Sequence, residues 1–412
     1  MPVRVVAVAL ALLVLAPSCT TALNLSINEV AADEAVDGAV DEGVYEGVDE
    51  GVNEGVDEGD DQGAEVLGES AAADDPVPTT APPTTTPPST TTVPLGPLVL
   101  GFVGDVHMIR DLSERDPLGQ VAPLLSAPDL TFANLETVVG ERSEVGAPPI
   151  DKRFIFLSPP ETLQLLAAAG VDVVGMANNH AWDYGPAGAR STAELVDESG
   201  LIGVGVGPTP VDAYEAAFVD VADRTLGVVS LTRVPCDWSQ EPAAERPEVA
   251  WGCDRFDLAA IASILRAVEA SDVTVVMLHG GVEVTDCPGP RLREIVSTWI
   301  DMGVDVVAIS HPHVVQGVEV VDGAAVLWST GNFVFTNNGG RTGRSAVFEV
   351  TLEPGADPSI RLAPTELPRG VARPAAPVVA DAVFASVSER SPGGIVGVDG
   401  VLRADPAPSR CD

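Results

Sequence analysis

The sequence predicts an α/β domain carried on a long unstructured leader, within a chain of 412 residues. Three observations carry that reading. From about residue 97 onward, short Val- and Ile-rich runs alternate with amphipathic stretches of helical length, the rhythm of a sheet served by helical crossovers. Before residue 97 the rhythm is absent, and the chain is acidic and repetitive, then Pro/Thr-rich. All five histidines, His107, His180, His279, His311 and His313, stand at the ends of the apolar runs, in segments that also carry Asp, Glu or Asn.

Residues 1–19 read as an export signal. Arg4 precedes an apolar run over residues 5–16, shorter than the about 20 residues of a membrane span. Ala16-Pro17-Ser18-Cys19 resembles a bacterial lipobox, which predicts a diacylated Cys19 and a lipid anchor on the outer face of the membrane. The expected Leu lies four positions before the Cys, at Leu15, rather than three, so cleavage without lipidation and a secreted protein is the alternative.

Residues 20–96 are expected to remain disordered. From Asp41 the tetrapeptides DEGV, YEGV, DEGV, NEGV and DEGD follow one another, and eighteen acids with no base lie between Glu29 and Asp75. Self-repulsion extends such a chain. Residues 76–96, PVPTTAPPTTTPPSTTTVPLG, predict a stiff polyproline-like spacer. With Arg4 as its one base, the segment 1–94 holds −17 of the formal −39, which leaves −22 for residues 95–412. An acidic folded part argues against nucleic acid as a partner, because phosphate backbones need basic surfaces.

In the folded part, helices are expected at 159–170, 188–200, 256–271 and 291–303, each followed by a Val-rich run. The helix-free segments 325–335, 345–353 and 359–368 are expected to give the antiparallel strands of a second sheet. Residues 97–340 would form the domain core, and 341–412 the second-sheet strands and a C-terminal extension.

Side chains two apart on a strand project to one side, and three pairs of polar residues have that spacing: Asp105 with His107, Asn134 with Glu136, and His311 with His313. In sheets built from βα units, functional groups gather beyond the carboxyl ends of the strands. Mixed imidazole, carboxylate and amide oxygen suits Mn, Fe or Zn, and the supply is enough for two ions about 3.5–4 Å apart sharing one carboxylate.

The ordered motifs GDVHMIR (104–110), NLE (134–136), ANNHAWDYG (177–185), HGGVE (279–283), HPHVVQGVE (311–319) and STGNFVF (329–335) resemble the CapA-like proteins of capsule and poly-γ-glutamate synthesis, relatives of the calcineurin-like metallophosphoesterases. The resemblance spans residues 97–340. It implies a four-layer αββα sandwich of the metallophosphoesterase type holding two divalent transition-metal ions. Asp105, His107, Glu136 and His313 would hold one ion, and Glu136, Asn179, His279 and His311 the other, with Glu136 bridging. His180 would protonate a leaving group, oriented by Asp183. Arg110, Asn134, Asn178, Glu283 and Asn332 are candidates for substrate binding. Two positions depart from the family pattern: His107 stands where Met is usual, and Gly280 where Trp is usual.

Three functions are compatible with these residues. The first is biosynthesis or anchoring of an anionic cell-envelope polymer, with membrane-bound polymer-synthesis proteins as partners. The second is an extracellular phosphoesterase acting on a phosphate ester, and the third a non-catalytic scaffold with a vestigial metal site. Besides Cys19 there are Cys236, Cys253, Cys287 and Cys411, an even set that suggests disulfides in an exported chain. Cys236 and Cys253 bracket an insertion and are the expected pair, with Cys253–Cys287 the alternative.

Overall fold

The computed structural model describes residues 95–143, 145–146, 148–234, 248–253, 257–336 and 339–412. Strands are numbered in chain order. The first half contains β1 (Leu98–Val106), β2 (Leu130–Leu135), β3 (Val138–Val139), β4 (Leu157–Ser158), β5 (Val173–Gly175), β6 (Ile202–Val204), β7 (Ala217–Val221), β8 (Arg224–Thr232) and β9 (Val273–His279). The second half contains β10 (Val306–Ser310), β11 (Val318–Val321), β12 (Ala324–Leu327), β13 (Asn332–Val334), β14 (Arg344–Leu352), β15 (Ser359–Glu366), β16 (Arg373–Pro374), β17 (Gly394–Val396) and β18 (Leu402–Ala404).

Two mixed sheets carry the fold. One runs β16-β15-β14-β1-β2-β5-β6 with β13 pairing β1, and the other runs β11-β12-β10-β9-β8-β7. Strand alternation shows how they stack. Leu98, Leu100 and Phe102 of β1 share one buried core with Leu226 and Val228 of β8, Val273 and Val275 of β9, and Val306 of β10. Intervening side chains such as Val103, Val229, Val276 and Val307 point the other way, into a core completed by the helices. Two sheets face each other with helices outside, so the four-layer αββα expectation is met.

The helices form at Glu161–Ala169, Gly185–Ser199, Asp257–Ala270 and Pro290–Asp301, close to the expected spans. Gly170, at φ +99°, stops the first of them in a left-handed turn that a side chain would strain. A later helix, Pro377–Arg390, adds Val383 and Val387 to the inter-sheet core.

Aspartates set the strand register at the amino ends. Asp129, Asp172, Asp272 and Asp305 each stand just before or beside a strand, and each accepts the N–H of a neighbouring chain, from Val99, Thr131, Thr225 and Thr274 respectively. The carboxyl ends therefore come into line. Asp105 stands opposite both Asn134 and Asn332, and His279 opposite Ser310.

The late strands depart from expectation. β12 belongs to the second sheet, but β14 and β15 join the first, with β14 antiparallel to β1. After β12 the chain crosses between the sheets through residues 328–331, where the Asp105 N–H bonds the carbonyl of Gly331. A Cβ at Gly104 would lie 1.8 Å from that carbonyl oxygen, so only glycine permits this approach.

Cys287 is bonded to Cys411, tying the C-terminus to the loop after β9. The alternative Cys253–Cys287 pairing is thereby overturned. Cys253 is itself disulfide-bonded, and its expected partner Cys236 lies outside the described residues. Cys19 and the whole leader through residue 94 lie outside them as well. Among the described residues no helix is long and apolar enough to cross a membrane.

Candidate metal centre

Asp105 and Glu136 are fully buried at the carboxyl ends of β1 and β2, and His279 ends β9. His311 and His313 follow β10 in left-handed backbone, at φ +97° and +57°. A non-glycine residue held there costs about 1–3 kcal/mol, which the surrounding contacts must offset, and such strain is characteristic of sites that fix ligand geometry. One of those contacts is the His311 N–H on Asp105 Oδ2, at 3.3 Å.

Three sets of donor atoms lie within 4.8 Å of one another: Asp105, Glu136 and His313; Glu136, His279 and His311; and Glu283, His311 and His313. Glu136 is common to the first two. His279 Nε2 is 3.6 Å from Glu136 Oε1 and 2.9 Å from Asn179 Oδ1, which brings Asn179 to the second set. His313 Nδ1 is 3.1 Å from Asp105 Oδ2 and 3.9 Å from Glu136 Oε2. Six of the seven expected ligands therefore converge.

His107 is placed differently. Its ring stacks on Phe156 at 4.1 Å, and Phe156 stacks in turn on His180 at 3.7 Å, so one aromatic ring lies between two imidazoles. His107 belongs to none of the three donor sets, although its buried Nδ1 has no hydrogen-bond partner among the described residues.

The donor set fits cations. Neither carboxylate oxygen of Glu136 accepts a hydrogen bond among the described residues, and a buried unpaired carboxylate is costly. Burial, with Asp105 adding to it, raises the Glu136 pKa well above the usual carboxylate range. Burial keeps His311 neutral, at about 3, and holds His279 well below its ordinary value. Neutral imidazoles are the form that binds a metal. Burial alone would also lower His313, but Glu136 and the hydrogen-bonded Asp105 outweigh it and raise it to about 10. A proton there supplies positive charge that a metal ion would otherwise bring.

His180 has a support of its own. Its Nδ1 lies 2.6 Å from Asp183 Oδ2, and its Nε2 faces Glu136 Oε1 at 3.9 Å. Lys152, the only lysine of the chain, donates to Asp183 Oδ1 at 2.9 Å and to the Asn179 carbonyl at 2.8 Å, and lies 3.2 Å from His180 Nδ1. Asp183 also accepts the Phe156 N–H at 2.7 Å. Burial, with Lys152 adding to it, lowers His180 to about 4 against the opposing pull of Asp183. The imidazole is neutral, with Nδ1–H on Asp183 and Nε2 offering a lone pair.

The expected substrate contacts divide. Glu283 is exposed and reaches the His311–His313 set. Asn134 lies behind the ligands, its amide 2.8 Å from Asp105 Oδ1 and 3.1 Å from His279 Nδ1. Asn332 faces His313 Nδ1 at 2.8 Å and donates to the Thr342 carbonyl. Both are buried and orient ligands. Asn178 is committed to backbone: its amide bonds the Leu135 and Met176 carbonyls and accepts the His180 N–H. Arg110 is exposed and ion-paired with Glu141. Sequence reasoning missed Lys152 and Phe156. The uniqueness of the lysine was a usable signal, whereas nothing in FIFLSPPE singles out the phenylalanine.

The two facing sheets and the buried imidazole–carboxylate cluster at their strand ends define an α/β protein whose grouped side chains could hold a metal ion. The chain belongs to the bacterial capsule synthesis protein family PGA_cap, whose pattern matches residues 99–337. A capsule biosynthesis protein CapA of Bacillus anthracis is 26% identical over 67% of this chain and 69% of its own length. A PGA biosynthesis protein CapA of Bacillus subtilis is 28% identical over 66% of this chain and 72% of its own length. A solved phosphatase from Mycoplasma pneumoniae superposes with a TM-score of 0.41 at 13% identity, covering 63% of this chain and 89% of that one.

Proposed function

We propose that this protein is an exported, membrane-anchored or secreted enzyme of anionic cell-envelope polymer metabolism, acting on poly-γ-glutamate or a related polymer through a two-metal site. The observation that carries the reading is Glu136, whose two oxygens lie between the Asp105–His313 and His279–His311 groups. Family membership supports the polymer. The supported, solvent-shielded His180 favours catalysis over a scaffold, because a purely structural cluster has no need of a lone pair held beside it.

Asp105, Glu136 and His313 would hold one ion, and Glu136, Asn179, His279 and His311 the other. Bound ions would polarise the scissile centre and stabilise the negative charge that develops on it. His180 Nε2 takes the proton that the attacking water or acceptor group gives up and passes it to the departing group, while Asp183 fixes the tautomer and Lys152 holds Asp183. Phe156 covers one face of the imidazole and excludes water from it.

Turnover assays test the reading. Metal-loaded protein should cleave or transfer γ-glutamyl linkages of an oligo-γ-glutamate or a γ-glutamyl anilide. Turnover of p-nitrophenyl phosphate alone would favour the phosphoesterase, and turnover of none of these the scaffold.

A further inference from the structure

In a chain of formal charge −39, one region concentrates arginine. A cavity of about 130 Å³ is lined by Arg341, Arg344 and Arg390, together with Ser386, Val314 and Val315 among others. Arg341, Arg390 and Arg410 all pair with one carboxylate, Asp286, the latter two at 2.7 and 2.8 Å. Three guanidiniums around one carboxylate, with Arg344 on the cavity wall besides, leave a surplus of positive charge. Two of the guanidiniums that line the cavity keep donors without a partner among the described residues. Arg390 is only 6% exposed, and its Nε–H, shielded from solvent, has no acceptor among the described residues. Arg344, an exposed residue on the same wall, makes no ion pair or hydrogen bond among the described residues.

The cavity is joined to the metal centre by three chain connections. Val314 and Val315 directly follow His313. The loop that brings Glu283 to the His311–His313 set carries Asp286 three residues later, and Arg341 also bonds the Val284 carbonyl in that loop. Asn332, which faces His313, donates to the Thr342 carbonyl beside Arg341. The Cys287–Cys411 disulfide fixes the C-terminal segment from which Arg410 reaches Asp286. A guanidinium presents a planar fork of donors that matches carboxylate and phosphate oxygens.

The geometry points to a second anion subsite at Arg344 and Arg390, which holds a carboxylate of the polymer at a distance from the bond held at the metals. This inference rests on the polymer reading and names how the repeating charge of such a substrate is gripped. A ligand bearing a carboxylate on every unit places one group at the metals and another in the arginine cavity, whereas a small phosphate ester reaches one only.

Isothermal titration of the metal-loaded protein with a γ-glutamate decamer, and separately with inorganic phosphate, tests it. Arg344→Gln removes a free guanidinium from the wall, and Ala382→Glu adds a carboxylate to the same wall, so an effect common to both does not depend on one substitution's folding. Each should weaken decamer binding about tenfold or more while melting temperature and metal content stay at wild-type values. If both variants bind the decamer as wild type does, the subsite is overturned while the polymer reading stands. If wild type binds phosphate through Arg344 but not the decamer, the polymer is the wrong ligand and the proposal fails with it. Binding of neither by wild type overturns the subsite outright.

Discussion

His180 does not complete a metal set, yet Asp183, Lys152 and Phe156 all act on it. Replacement by Ala should therefore lower turnover by about 10²–10⁴-fold, the usual worth of a positioned acid or base, while metal content measured on the same sample stays unchanged. Loss of metal from that variant would make His180 a ligand instead. Lys152 gives a second handle. Its positive charge helps to depress His180, so Lys152→Met should raise the His180 pKa and move the acidic limb of the pH–rate profile to higher pH. An unmoved limb with reduced turnover would leave Lys152 a purely structural tie. These residues also show what a sequence can and cannot disclose. Histidines at the ends of apolar runs were legible because strand periodicity and the carboxyl-end rule place them from sequence alone. The Lys152 contact was not, because it depends on how residues 148–156 fold back over the loop that carries Asn179 and His180.

At the scale of the elements, aspartates pin neighbouring strands at one end of the sheets while ligands collect at the other. Asp305 accepts the Thr274 N–H at 2.8 Å across β9 and β10. Its replacement by Ala should cost about 1.5–3 kcal/mol in urea denaturation, the range for hydrogen bonds to charged groups, and a change within 0.5 kcal/mol would show that the sheet register is fixed without it. Apolar runs predicted these strands well, but not the sheet that β14 and β15 would join. That choice is made by the crossover at residues 328–331 and by the bare Cα of Gly104, a tertiary contact with no periodic signature. The Cys287–Cys411 bond likewise links positions 124 residues apart, a separation that composition cannot pair. Closing a loop of that length stabilises by about 4–5 kcal/mol in the chain-entropy model, typically less in practice, so Cys411→Ser should lower the denaturation midpoint clearly under non-reducing conditions. Equal midpoints for variant and wild type would show that the bond carries little of the fold's stability.

For the whole molecule, the metal ions of the proposed site would be set against the chain's own negative charge, formally −39. Protons compete with those ions. His313 is raised to about 10 and Glu136 is raised well above its ordinary range in the metal-free state, so binding ions must displace protons from them. Affinity for Mn or Zn should rise with pH through the neutral range and fall as the solution is acidified, read by titration in buffers of different ionisation enthalpy. A pH-independent affinity would mean that these groups are not ligands. The most direct test of the central claim is the metal content, by elemental mass spectrometry, of folded protein purified without chelator and loaded with Mn, Fe or Zn, beside Glu136→Gln and His279→Ala. The shared carboxylate predicts two ions per chain in wild type, one in His279→Ala, and one or none in Glu136→Gln. A folded wild-type chain that carries no ion, or a Glu136→Gln variant that keeps both, would contradict it.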